Sequence, residues 1–239
     1  GMWLPECAYR PTWGHWVPSV LYDNARHRVG LEHFMAGAGI THFFVDTHLV
    51  ANAKPMGIWE RSEFRGVPDD QDYWDRKRGW KSPLEGVGVV SEPSPPKVFA
   101  FARHPGISEQ VWSGWIGYPG AGQYLEFHKK HGERGLRYWK ITDNKSDLGL
   151  KHPYYPDDVP GKVFEQARHF CDMVRDTLRH HFEQTGRQGV IVAPFDAELF
   201  GHWWFEGPQF LRDVVFTLAH MPEVKLMTAE QYAAMVTED

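Results

Sequence analysis

Short runs of β-branched and aromatic residues alternate along this chain with segments of helical period, and that alternation constrains the fold more than any other feature of its 239 residues. The runs are ITHFFVDT at 40–47, VFAFAR at 98–103, RYWKIT at 137–142 and VIVAPFD at 190–196. ITHFFVDT and VIVAPFD read as buried strands, the latter covered on both faces because it lacks polar alternation. The clearest helix spans 160–184, where Phe164, Ala167, Cys171, Val174 and Leu178 recur at intervals of three and four. A short helix is expected from about residue 29, and a helix, a Gly/Pro-rich turn and a second helix over 108–130. Two further helices follow over about 206–219 and 228–236, the last opened by Thr228 with Glu230 in its first turn. Strands alternating with helices predict an α/β fold with a parallel sheet, either open or closed as a barrel. Four strands cannot close a barrel. Either Trp3 to Tyr9 adds a fifth edge to an open sheet, or the chain is part of a larger barrel whose earlier strands lie upstream.

Residues 48–97 break the pattern. They are rich in Pro, Gly, Asp and Arg, and Trp59, Tyr73, Trp74 and Trp80 fall without helical or strand period. The segment reads as a long inserted loop of the lid or binding kind within a single domain over 1–239. Its aromatic content sets it apart from disordered segments.

The charge balance, 26 Lys and Arg against 31 Asp and Glu for a net −5, offers no field for a phosphate backbone, so nucleic acid is excluded as a partner. No apolar run approaches the roughly 20 residues of a membrane span. A soluble, cytoplasmic protein is expected. Cys7 and Cys171 are too few and too far apart for a disulfide framework or a zinc site, and default to reduced thiols. The 11 Trp residues cluster beside Gly, Pro and acidic residues. That setting suits sugar, whose apolar C–H faces stack on indole while carboxylates and amides meet the hydroxyls; the alternative is that the indoles fill the core.

In parallel α/β folds ligands gather at the carboxyl ends of strands. Asp196 stands there, directly after VIVAPF and before AELFGHWWFEG, and Glu6 stands after the apolar WLP. An isolated carboxylate among apolar neighbours is paired, protonated or catalytic, because burying it ionised is costly. The structural alternatives are a helix N-cap for Asp196 and an ion pair with Arg10 for Glu6. His202 reads as a satisfied histidine rather than a metal ligand. His180 and His181 are adjacent and share no face of a helix, and no HExxH occurs.

WLPECAYRP at 3–11, QVWSGWIGYPG at 110–120 and APFDAELFGHWWFEG at 193–207 resemble the regions that define glycoside hydrolase family 57, and most resemble its 1,4-α-glucan branching enzyme group. THFFVDT, FHKK and RYWKIT, between them, are also similar. The resemblance implies a parallel (β/α)7-type barrel, present here as its later strands and helices. It makes Glu6 the nucleophile and Asp196 the general acid/base of a retaining mechanism, with the carboxyls about 5–5.5 Å apart and Asp196 protonated in the free enzyme. It places Trp112, and Trp203 or Trp204, in the lining of the glucan site, with Tyr9, Glu198 and His202 nearby. The implied substrate is an α-1,4-glucan such as amylose, glycogen or a maltooligosaccharide, with no cofactor and no metal. A 4-α-glucanotransferase, an α-amylase of the same family and a catalytically incomplete glucan-binding fragment are the alternatives. A metal-dependent deacetylase on a related barrel would require a His pair near Asp196, which the sequence lacks. The family's early strand with its His motif is absent, so a missing barrel half, or another copy of the chain, is expected to complete the site, and weak or no activity is expected of this chain alone. Trp59 and Tyr73 are the candidates for the loop aromatic that shields the intermediate in the branching group.

Overall fold

The computed structural model describes residues 1–9, 13–16, 26–50, 58–60, 63–65, 82–89, 98–143 and 145–236. The chain divides into two compact units, Gly1–Arg103 with Met227–Asp239, and His104–Leu226. Arg10, Tyr73, Trp74 and Trp80 lie outside the described residues.

The strands of the first unit are, in chain order, β1 (Met2–Trp3), β2 (Trp13–Trp16), β3 (Arg26–Arg28), β4 (His42–Val45), β5 (Ile58–Glu60), β6 (Glu63–Arg65), β7 (Val87–Val89) and β8 (Val98–Ala102). The main sheet runs β1-β4-β8-β7. β1, β4 and β8 are parallel, with Trp3 opposite Phe44 and Phe44 opposite Phe101, and β7 closes the edge antiparallel to β8. One face carries Phe43, Val45, Val98, Ala100 and Ala102, packed with Leu4 and with Met35 of the helix Leu31–Gly37. On the other, Phe101 meets Phe44 and also Tyr232 of the helix Ala229–Val236. Helices on both faces explain why these strands lack polar alternation. Burying each large apolar side chain contributes about 1.5–3 kcal/mol. Residues 48–97 contain more order than their composition predicts, because β5 and β6 form an antiparallel pair and β7 joins the main sheet.

The second unit is helical. The long helix Val159–Thr185 buries Val163, Ala167, Cys171 and Val174 against Phe210, Val214 and Leu218 of the helix Gly207–Ala219. The buried stripe is shifted from the one expected: Phe164 is 52% exposed and Val163 takes its place at 0%. The long helix stops where Gly186 turns left-handed at φ 69°, its N–H donating to Phe182 O at 2.7 Å. No helix among the described residues is long and apolar enough to cross a membrane.

Three expectations are corrected. Residues 137–142 form only isolated bridges, Leu125 with Lys140 and Trp139 with Pro153, instead of a strand. Thr142 sits at φ 64°, and the Lys151 ammonium donates to the Ile141 and Asp143 carbonyls at 2.7 and 2.8 Å, so these carbonyls serve a buried cation rather than a ladder. Residues 190–196 belong to no strand; the Val192 carbonyl accepts from the His104 N–H at 2.8 Å, while Pro194 has no N–H to give. The second helix expected before residue 130 is replaced by turns after the helix Pro105–Trp112.

Candidate active site

The carboxyl end of the parallel sheet in the first unit presents three charged side chains. β1 ends at Trp3, Leu4 is buried, and Pro5–Cys7 form one tight turn closed by Cys7 N–H to Leu4 O at 2.9 Å and Ala8 N–H to Pro5 O at 3.0 Å. Within it Glu6, at φ 53° and ψ 24°, and Cys7, at φ 51°, are both left-handed. For residues with a Cβ this costs on the order of 1–3 kcal/mol each. Anchors on either side hold the turn in place. Leu4 and Cys7 are buried, and Tyr9 packs on Phe43 with ring centroids 4.9 Å apart while its hydroxyl donates to Glu32 Oε2 at 2.7 Å. Burial, with the Glu32 carboxylate beside it, raises the Tyr9 pKa far above that of free tyrosine. Tyr9 therefore supports the turn through its hydroxyl, and the Glu6 side chain points outward, exposed.

Asp46 directly follows β4 and Arg103 directly follows β8. Their side chains pair at 2.7 Å, the Thr47 N–H donates to Asp46 Oδ1 at 2.6 Å, and the Thr47 hydroxyl donates to the Arg103 carbonyl. Burial alone would raise the Asp46 pKa, but the bonds from Arg103 and Thr47 outweigh it and hold the carboxyl below the ordinary range. Sequence reasoning missed this pair. The signal was present, because the apolar runs FFV and VFAFA are each followed directly by a charged residue, and the strand-end rule applied to Asp196 selects Asp46 and Arg103 as well.

The second unit gathers most of the other expected residues. Asp196 is exposed and extended, at φ −60° and ψ 130°, before the single turn Ala197–Leu199; it occupies the N-cap position without making a side-chain cap bond. Its neighbour Phe195 faces Trp112 with centroids 6.4 Å apart. Glu198 accepts from Trp203 Nε1 at 3.0 Å, and His202 packs on Phe127 at 5.4 Å. Gly201, at φ 98°, lets the chain double back so that its N–H reaches Trp204 O at 2.8 Å. Trp112 and Trp203 remain 42% and 46% exposed. Trp204 departs from the expected role: it is 1% exposed and packs against Tyr124 and Phe210, so it is a core residue and Trp203 is the exposed indole of the two. Glu206, also missed, is 4% exposed and accepts from the Leu125 N–H at 3.0 Å, tying the 125–131 segment to the start of the helix Gly207–Ala219. Burial pushes its pKa up. Glu6 and Tyr9 thus lie in the first unit, and Trp112, Asp196, Glu198, His202, Trp203 and Trp204 in the second. Among the described residues no group of three His, Cys, Asp or Glu side chains is arranged to hold a metal ion.

No protein-family profile matches the chain. Curated proteins and solved structures do. The chain is 38% identical over 218 residues to the 1,4-alpha-glucan branching enzyme TK1436 of Thermococcus kodakarensis, an alignment covering 90% of this chain and 29% of that protein. The crystal structure of TK1436, described as a GH57 branching enzyme, superposes with a TM-score of 0.76 at 37% identity, covering 98% of this chain and 39% of that one. A GH57-type branching enzyme from Pyrococcus horikoshii gives 0.76 at 35% identity, over 99% of this chain and 37% of that one. The alpha-amylase AmyC from Thermotoga maritima gives 0.71 at 30% identity, over 98% and 40%. The fold is therefore α/β and is shared with solved glycoside hydrolase family 57 enzymes of the (β/α)7-barrel type, of which the chain matches a part. Within that class the chain matches branching enzymes over about nine tenths of its length and spans between a quarter and two fifths of theirs.

Proposed function

We propose that this chain carries the catalytic carboxylates of a retaining α-glucan-active enzyme, nearest to a 1,4-α-glucan branching enzyme. The observation that carries the reading is the similarity to TK1436 along nearly the whole chain, at 38% identity and a TM-score of 0.76. It is supported by the way Glu6 is held, exposed on a left-handed turn fixed by buried neighbours, because such turns persist where a side chain must be aimed.

In this reading the Glu6 carboxylate attacks the anomeric carbon of an α-1,4-linked glucose while Asp196, protonated, gives its proton to the departing glycosidic oxygen. The C–O bond to the leaving chain breaks as the ester to Glu6 forms. Asp196, now ionised, takes the proton of an incoming hydroxyl, which attacks the anomeric carbon and releases Glu6. When the acceptor is a glucan 6-hydroxyl the product is an α-1,6 branch, and when it is water the result is hydrolysis. Trp112 and Trp203 supply apolar faces for the glucose rings, and Glu198 and His202 lie beside them. Arg103, fixed by Asp46 at the same sheet end as Glu6, provides positive charge where the anionic nucleophile is presented. A sequence with only two cysteines, both buried, favours a reducing, cytoplasmic setting.

The likeness to AmyC favours a second reading, in which water is the usual acceptor. Incubation with amylose, scoring α-1,6 anomeric protons by NMR and reducing ends by titration, separates the two. Branching predicts new α-1,6 signals with few new reducing ends, and hydrolysis predicts the reverse. Glucan binding with neither product points to a binding fragment whose chemistry needs the remainder of a longer barrel.

A further inference from the structure

The segment after Glu126 sets cationic and aromatic side chains, which the glucan chemistry above does not use, beside Trp203 and His202, which it does. Phe127 is its hub. Trp203 lies 4.3 Å from it, His202 5.4 Å, the Arg137 guanidinium 4.6 Å and the Lys130 ammonium 5.9 Å. A second ring, Trp139, carries Lys129 at 4.5 Å and meets Tyr138 edge-on at 5.5 Å. Residues 129–140 hold Lys129, Lys130, Arg134, Arg137 and Lys140 against the single acid Glu133, in a chain whose net charge is −5. Cations gathered in one short segment repel one another, and an anion relieves that cost.

The face is also rigidly made. Arg137 donates to the His202 carbonyl at 3.2 Å, which ties the segment to the turn that bears Trp203. His131 N–H bonds Leu136 O at 2.7 Å across a turn with Gly132 and Gly135 left-handed. At its base Lys151 and Glu126, both buried, lie 3.5 Å apart. A guanidinium and an ammonium about one ring supply the charge and the N–H donors that a phosphomonoester takes. The adjoining indole of Trp203 accepts a sugar face. A local excess of positive charge over about a dozen residues of a chain that is acidic as a whole suits one or two anionic groups rather than a long polyanion.

We propose that this face binds a phosphate ester carried on an α-glucan chain, with Lys130 and Arg137 taking the phosphate and Trp203 the neighbouring glucose ring. The inference rests on the glucan reading and deepens it by naming a modified substrate. The test is affinity electrophoresis of the 239-residue chain through gels cast with amylopectin bearing phosphate monoesters, and with the same polymer after phosphatase treatment. The phosphorylated polymer should bind about tenfold more tightly at low salt, the scale of one charge-assisted contact. That advantage should vanish in K130Q/R137Q, survive in K130R and shrink as salt rises, while K130Q alone should lessen it and leave binding to the dephosphorylated polymer unchanged. Equal retardation by the two polymers overturns this inference and leaves the glucan reading standing. Retardation by neither overturns both. Glucose 6-phosphate binding as tightly as the phosphorylated polymer would assign the site to free sugar phosphates instead, and duplex DNA binding as tightly would reduce it to a general anion patch.

Discussion

Glu6 and Asp196 are presented by opposite devices. Glu6 sits in a left-handed turn that no ordinary residue prefers, clamped by Leu4, Cys7 and the Tyr9–Glu32 hydrogen bond. Asp196 stands on relaxed, extended backbone with its side chain uncommitted to the turn it begins. The two roles proposed for them call for this difference. A nucleophile must meet one carbon from one direction, which rewards a fixed backbone even at a cost in stability. An acid/base that serves a leaving oxygen and then an acceptor meets two partners in turn, and a less committed side chain suits that.

The largest way to break the comparison is through turnover. In the complete enzyme Glu6→Gln should abolish formation of the glycosyl-enzyme, whereas Asp196→Ala should lower the rate by about 10²–10⁴-fold. Only the Asp196 variant should recover with substrates whose leaving group needs no proton. Recovery of the Glu6 variant instead would reverse the two assignments.

Next comes the pair of adjacent indoles. Trp204→Ala should cost about 3–5 kcal/mol in urea denaturation, because it empties a fully buried site between Tyr124 and Phe210. Trp203→Ala should change stability by less than about 1 kcal/mol and weaken glucan binding. Equal destabilisation by both would remove the distinction between a core and a ligand-facing tryptophan.

A smaller effect tests the strain itself. Glu6→Gly relieves a left-handed residue bearing a Cβ, so the folded chain should gain about 1 kcal/mol while activity is lost. A loss of stability would mean that the Glu6 side chain, not its backbone, holds the turn. The smallest is a slope. Glu206 has its pKa raised by burial, so the native state holds its proton over a range where the unfolded chain has released it. Stability from this group is therefore present below the ordinary carboxylate range and lost as pH rises through the raised value. Glu206→Gln, which keeps an acceptor for the Leu125 N–H, should flatten that fall when denaturation midpoints are followed upward from about pH 4. Asp46 has the opposite sign: its depressed pKa adds stability above the ordinary range that is lost as pH falls.

The sequence made the two parallel strands ITHFFVDT and VFAFAR legible, since burial on both faces writes itself as an unbroken apolar run. It did not make RYWKIT legible. Nothing within those six residues announces that Lys151, nine positions beyond Thr142, takes the carbonyls a neighbouring strand would need. On the long helix Val163 and Phe164 are neighbours about 100° apart, and both fit a spacing of three and four with Ala167, so periodicity alone could not choose which is buried. Within the motif APFDAELFGHWWFEG the division into core and surface was not legible, because Trp203 and Trp204 differ only in which way one turn faces. Asp46 and Arg103 escaped because the strand-end rule was applied to VIVAPFD and not to ITHFFVDT or VFAFAR.

The most direct test of the central claim is a crystal structure of the protein with a maltooligosaccharide bound. The account predicts the Glu6 and Asp196 carboxyls about 5–5.5 Å apart, flanking a single glycosidic oxygen. Carboxyls facing separate cavities, or separated by more than the roughly 10 Å that even an inverting pair spans, would contradict it.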